Sequence, residues 1–109
     1  MDLDDYFSLT EYASRFTSDA DKYITLWFSQ ISVLSRIELW EKRVGNMLFR
    51  ESLVELYVNR IENDELLDVE QVFTELGLES LFVEDGIIYG HRDIYYDFVG
   101  FIMSIGLVK

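Results

Sequence analysis

Residues 20–34, Ala20-Asp21-Lys22-Tyr23-Ile24-Thr25-Leu26-Trp27-Phe28-Ser29-Gln30-Ile31-Ser32-Val33-Leu34, carry the strongest periodic signal in the chain. Ala20, Tyr23, Ile24, Trp27, Phe28, Ile31 and Leu34 recur three and four residues apart, which lays them along one side of a 3.6-residue spiral and predicts an amphipathic helix. Just upstream, Thr17-Ser18-Asp19-Ala20-Asp21 reads as a stop followed by a new start. Ser18 is placed to cap free N–H groups, and two carboxylates sit near the positive end of the helix dipole. The stripe loses phase at Ser35–Glu38, where Ile37 points away from it, so a break is expected there. Segment 36–45, with Trp40, Lys42 and Arg43, does not declare its type.

Outward from this helix the same periodicity recurs. In residues 2–16, Leu3, Tyr6, Leu9, Ala13 and Phe16 share one side of a spiral, which predicts a second amphipathic helix. Downstream, Gly45-Asn46 is read as the start of a helix in which Met47, Val54, Val58 and Ile61 align and Leu53 and Tyr57 flank them. Phe49 and Leu56 fall on its other side, where they would meet a partner or a central position in the core. Asp68 and Gln71 stand at capping-box spacing, Val69, Val72, Phe73 and Leu76 share a face, and Gly77 follows as a helix stop, so a short helix is expected. Leu81-Phe82-Val83 and Ile87-Ile88-Tyr89-Gly90 flank Asp85-Gly86, the one β-hairpin signal. In the last segment Ile94, Phe98, Phe101, Ile102 and Ile105 line one side, with Asp93, Tyr96, Asp97 and Gly100 on the other. The fold class expected is mainly α: a compact bundle of about five helices with a small hairpin near residues 81–90, in one globular domain spanning 1–109.

Composition narrows the function classes. The chain has 109 residues, 21 Asp+Glu against 9 Lys+Arg, a formal net charge of −12, no cysteine and no proline. A chain of this size buries roughly two-thirds of the surface its unfolded form exposes, and 50% hydrophobic residues suffice for a core. Without cysteine there is neither a disulfide framework nor a thiolate nucleophile. The acidic N-terminus, Met1-Asp2-Leu3-Asp4-Asp5, lacks the basic region of a signal peptide, and no apolar run reaches the roughly 20 residues that span a bilayer, so a cytoplasmic protein is expected. The charge repels phosphate backbones and anionic lipid heads, which disfavours direct binding to nucleic acid or membrane and favours a basic partner. It is also uneven, because residues 62–97 hold eleven acids and a single base, Arg92, whereas residues 22–61 hold four acids and six bases.

Catalytic chemistry finds little support. His91, the one imidazole, begins the triplet His91-Arg92-Asp93 found in kinase catalytic loops. The Gly-rich phosphate loop, strand lysine and second metal-binding acid of that chemistry are missing, and a helix-start or surface role fits His91 better. No Gly-x-Ser-x-Gly elbow occurs. Asp2, Asp4 and Asp5, or Asp64, Glu65 and Asp68, lack the oxygen spacing and central glycine of a calcium loop, so neither a metal nor another cofactor is expected. Ser8–Phe16 resembles the first helix of excisionase-type helix-turn-helix proteins. The helix after it carries bulky apolar residues and a single lysine where base and phosphate contacts would be needed.

What remains is the acidic third of the chain with its interleaved tyrosines. Glu84, Asp85, Tyr89, Asp93, Tyr96 and Asp97 are expected to converge on one partner-binding patch, joined by Asp64, Glu65 and Asp68. Tyrosine flanked by carboxylates suits a lysine- and arginine-rich surface, because the rings anchor while the acids pair with cationic groups and steer encounter. In this run from Glu62 to Asp97 the chain resembles the immunity proteins that bacteria make against their own nuclease toxins, of the contact-dependent inhibition or colicin type. The resemblance implies a non-enzymatic antitoxin that binds a basic toxin nuclease one-to-one and occludes its active site or nucleic-acid groove. Two alternatives stand beside it: a phage DNA mimic that inhibits a restriction or CRISPR nuclease, and a helical adaptor or regulatory subunit docking through Phe49 and Leu56.

Overall fold

The computed structural model describes residues 3–108. Among them are six α-helices and one three-stranded antiparallel sheet, so the chain is helix-rich as expected, with one helix more than the five expected and a third strand beside the expected hairpin. The elements are β1 (Tyr6–Ser8), α1 (Leu9–Ser14), α2 (Ala20–Phe28), α3 (Ile31–Arg43), α4 (Val54–Glu62), α5 (Val69–Leu76), β2 (Leu81–Glu84), β3 (Ile87–His91) and α6 (Arg92–Ser104). Two compact units are distinguishable, Met1–Ile24 with Leu81–Lys109, and Thr25–Ser80.

In the first unit the strands lie in the order β1-β3-β2. Asp85 (φ 52°) and Gly86 (φ 77°) make the hairpin turn, and two successive positive φ values are what a tight two-residue connection between twisted strands requires. A lone hairpin is marginal; β1 adds a third strand, with Tyr6 opposite His91 and Ser8 opposite Tyr89. Residues 2–16 are therefore not one helix. Tyr6–Ser8 satisfies the open side of β3, and the helix starts only at Leu9, where the Ser8 hydroxyl accepts from the Glu11 N–H at 2.9 Å. Beyond the end of β1 the Thr10 hydroxyl takes over the pairing by accepting from the Ile88 N–H at 2.9 Å.

One face of the sheet, through Leu81, Ile88 and Gly90, is buried with Leu9 and Ala13 of α1 and Ile94, Phe98 and Ile102 of α6. Each of the large side chains contributes about 1.5–3 kcal/mol on burial. Gly90 has a packing role, since a Cβ there would come within 2.9 Å of Leu9 Cδ1. On the opposite face Tyr89 stacks on Phe82 (centroids 5.1 Å), and Tyr6 bridges Phe82 (5.3 Å) to His91 (5.5 Å).

In the second unit the expected break lies earlier in the chain, at Ser29–Gln30, and α3 runs unbroken through residues 35–38 to Arg43. The restart at Ile31 resets the phase, so Val33, Leu34, Ile37, Trp40 and Glu41 share the buried face and Ile37 points inward. Segment 36–45 is thus the end of α3 followed by Gly45, which takes a left-handed φ of 72°. Helix α2 begins at Ala20, so its flanking residue is Asp19 and not Ser18.

No helix begins at Gly45-Asn46. A loop carries Met47 into solvent (96% exposed), a 3-10 turn spans Glu51–Leu53, and α4 starts at Val54. On α4 Tyr57 is the buried residue, while Val54, Val58 and Ile61 are half-buried and Leu56 is exposed. Helix α5 is as expected: Asp68 Oδ1 accepts from the Gln71 N–H at 3.3 Å, Val72, Phe73 and Leu76 are buried, and Gly77 closes the helix at φ 65°. Phe73 meets Phe28 edge-on, with centroids 5.1 Å apart.

The second unit is organised around a charge. Glu41 is fully buried (0% exposed) on the apolar stripe of α3. Its Oε2 accepts from the Ser80 N–H at 2.8 Å, the Glu79 N–H reaches both oxygens at 3.0 and 3.1 Å, and Asn46 Nδ2 donates to Oε1 at 2.7 Å. The same Asn46 amide donates to the Gly77 carbonyl at 2.8 Å, and its Oδ1 accepts from the Leu48 N–H at 3.0 Å. A buried carboxylate is tolerable only when donors of this kind replace its water. Here it joins the end of α3, the 46–50 loop and the segment after α5.

Candidate partner-binding face on helix α6

Helix α6 is set by its two ends and its buried stripe. At the N-terminus His91 Nδ1 accepts from the Asp93 N–H at 3.2 Å, so the imidazole is a helix cap, and Asp93 lies in the first turn where the dipole favours a carboxylate. Ile94, Phe98 and Ile102 recur every four residues and face the core. Ile105 does not join them; it lies past the last helical residue and is exposed. The opposite side therefore presents Asp93, Tyr96, Gly100 and Met103, residues three and four apart that are all exposed. Tyr96 is 61% and Met103 59% exposed, large apolar areas that the fold leaves in water.

Tyr96 is not loose. Its ring centroid is 5.6 Å from that of Tyr95, which contacts Phe7 (5.2 Å) and Tyr12 (5.9 Å). Burial pushes the Tyr95 phenol above its ordinary pKa, partly opposed by the nearby Arg15 charge. Asp93 Oδ2 lies 3.7 Å from His91 Nδ1, and Asp97 is half-buried one turn on from Asp93. Arg92, the single base of the acidic third, faces Asp5 at 3.8 Å.

The six candidate residues of the first unit do not form one patch. Asp93, Tyr96 and Asp97 share α6. Tyr89, expected beside them, points away: Gly90 faces α6 and Leu9, and strand alternation turns Tyr89 to the other side of the sheet, where it stacks on Phe82. Glu84 and Asp85 are exposed at the hairpin tip, the end of β3 opposite to the one that leads into α6. Asp64, Glu65 and Asp68 belong to the second unit, exposed in the connection between α4 and α5 beside the 63% exposed Leu66. There Asp64 takes a left-handed φ of 62°, and Asp68 is occupied as the α5 cap. Period-two alternation in residues 81–91 separates Tyr89 from Tyr96, whereas the expected patch rested on proximity in sequence.

Among the described residues no three carboxylate or imidazole groups are arranged to hold a metal ion, and Asp2 lies outside them. No helix among them is long and apolar enough to cross a membrane. Two features escaped the sequence reading. Glu41 is hidden because a charged residue on an apolar stripe reads as an interruption. Glu38, Glu51 and Glu55, which line a groove on the second unit, fall in the part of the chain whose charge balance is positive. No family model, no curated protein and no solved structure matches this chain.

Proposed function

We propose that this chain is a non-enzymatic, protein-binding inhibitor of the immunity-protein kind, which binds a basic nuclease one-to-one in the cytoplasm through the outward face of α6. The observation that carries the reading is Tyr96, a large aromatic left 61% exposed on α6 and bracketed by Asp93 and Asp97. An exposed aromatic anchor with carboxylates around it fits a surface of arginine and lysine, where the ring is desolvated on contact and the acids pair at its rim. The net charge of −12 supplies the long-range attraction, and association can reach roughly 10⁸ M⁻¹s⁻¹ at low salt.

The experiment is capture of the partner by the tagged chain in its native host, with mass spectrometry and a nuclease assay on the captured protein. A basic nuclease silenced at one equivalent supports the reading; a restriction or CRISPR effector competing with DNA moves it to a DNA mimic. A partner that is neither basic nor a nuclease ends both.

The exposure of Leu56 on α4 favours one other reading, an adaptor that packs this helix against a partner helix. The Phe49 half of that expected surface is not on α4 but in the preceding loop. Salt-insensitive binding abolished by Leu56→Asp and indifferent to Asp93 and Asp97 would select it.

A further inference from the structure

Within the second unit, the loops before and after α4 both leave large apolar side chains in water. Before α4, Met47 and Leu48 are 96% and 79% exposed; after it, Leu66 is 63% exposed. A single protruding apolar side chain is ordinary, but Met47 and Leu48 protrude together from a loop that is tied down. The Asn46 side chain donates to Glu41 Oε1 and to the Gly77 carbonyl and accepts from the Leu48 N–H, while the Arg50 N–H donates to the Leu76 carbonyl at 2.9 Å. The backbone that carries the pair is thus already ordered, which lowers the entropy cost of covering it.

The two loops differ in charge. Residues 42–51 hold three bases and one acid, Glu51, which Lys42 engages at 2.9 Å; Arg43 and Arg50 are exposed and flank Met47 and Leu48 in sequence. Residues 62–68 hold four acids and no base, and Glu62, Asp64 and Glu65 are exposed just before Leu66. Helix α4, nine residues long, spaces the loops by about 13 Å, so they do not cover each other within one copy. The surface that matches the first loop is the second loop of another copy, apolar side chains against an apolar side chain and arginines against carboxylates. We propose that the chain self-associates head to tail, with Met47 and Leu48 of one copy packed on Leu66 of the next and Arg43 and Arg50 facing its Glu62, Asp64 and Glu65. The net charge of −12 opposes approach of two copies at long range, but physiological salt screens that repulsion beyond about 8 Å and leaves charges in contact their attraction. Loop on like loop would set arginine against arginine. So small a contact is weak, with a Kd of about 100 µM. It is independent of the inhibitor reading, because α6 belongs to the first unit.

Sedimentation equilibrium of the full chain at physiological salt, from about 10 µM to about 1 mM, reads the association. The average mass should rise with concentration past that of a dimer, because a head-to-tail contact leaves one loop uncovered at each end. Met47→Asp/Leu48→Asp and Leu66→Asp should each weaken association at least about tenfold. An equimolar mixture of these two variants should pair again but stop at dimers, since each keeps the loop that the other lacks. Arg50→Glu, which leaves every apolar side chain in place, should weaken association as well. All the altered side chains are exposed, and circular dichroism checks that each variant is folded. A chain that stays monomeric throughout, association untouched by the Met47/Leu48, Leu66 or Arg50 changes, or a mixture that does not pair would each overturn the proposal. The α6 reading is judged on the captured partner, so neither result decides the other.

Discussion

Replacing Glu41 with alanine strips the acceptor from three donors at once: the Ser80 and Glu79 N–H groups and the Asn46 side-chain amide. A hydrogen bond to a charged group is worth about 1.5–3 kcal/mol, and a buried donor left without a partner forfeits its solvation as well. The three losses are unequal. Ser80 is fully buried, so its N–H recovers nothing from water, while Glu79 and Asn46 are half-buried and recover part. Removing the carboxylate also relieves its own burial cost, which offsets some of the total. The net expectation is a loss of about 3–5 kcal/mol, against a stability of about 5–15 kcal/mol for a domain this size. Glu41→Gln keeps the shape but turns one oxygen into an NH₂ facing an N–H, for a loss of about 2 kcal/mol. Urea unfolding at neutral pH, followed by far-UV circular dichroism and the fluorescence of Trp27 and Trp40, reads both. A change under 1 kcal/mol for Glu41→Ala would refute the role of this carboxylate as the tie between α3, the 46–50 loop and residues 79–80.

The Gly77 position offers a steric counterpart: its φ is 65°, and an added Cβ would land on the Leu48 carbonyl oxygen, so Gly77→Ala should cost about 3 kcal/mol in the same assay, whereas a near-neutral result would contradict the close approach of that loop. Tyr57 is buried and its hydroxyl has no hydrogen-bond partner among the described residues, so Tyr57→Phe should be neutral or stabilising by about 1 kcal/mol, checked by calorimetry. The folded state raises the pKa values of both Tyr95 and Lys42 above their ordinary 10.0 and 10.5, so it retains their protons longer than the unfolded chain does. Their stabilising effect is complete below pH 10 and lost as pH rises beyond it; the melting temperature should fall above pH 10, less steeply in Tyr95→Phe.

Elements with local punctuation were legible in the sequence. Asp85-Gly86 marked the hairpin, Asp68 and Gly77 bracketed α5, and four-residue spacing placed Ile94, Phe98 and Ile102 inward and Tyr96 outward. The misses share a cause: they depend on pairing or packing that leaves no local periodicity. Three residues of β1 are too few to show alternation, and Leu3, Tyr6 and Leu9 imitate a helix because their spacing happens to be three. The phase of α3 depends on a restart at Ser29–Gln30 that no glycine or proline marks. The grouping of the candidate residues was partly legible, since Asp93, Tyr96 and Asp97 fall on one helix, but the strand pleat removes Tyr89 and chain direction carries Glu84 and Asp85 to the far end of the hairpin.

Stopped-flow association of the chain with the proposed basic partner, measured across ionic strength, most directly tests the proposal that α6 is the recognition face. Asp93→Asn/Asp97→Asn should slow association at low salt and flatten its salt dependence. Tyr96→Ala should chiefly speed dissociation, by roughly 30-fold for an anchor worth about 2 kcal/mol. Unchanged rates in both variants, with circular dichroism showing both folded, would contradict the account.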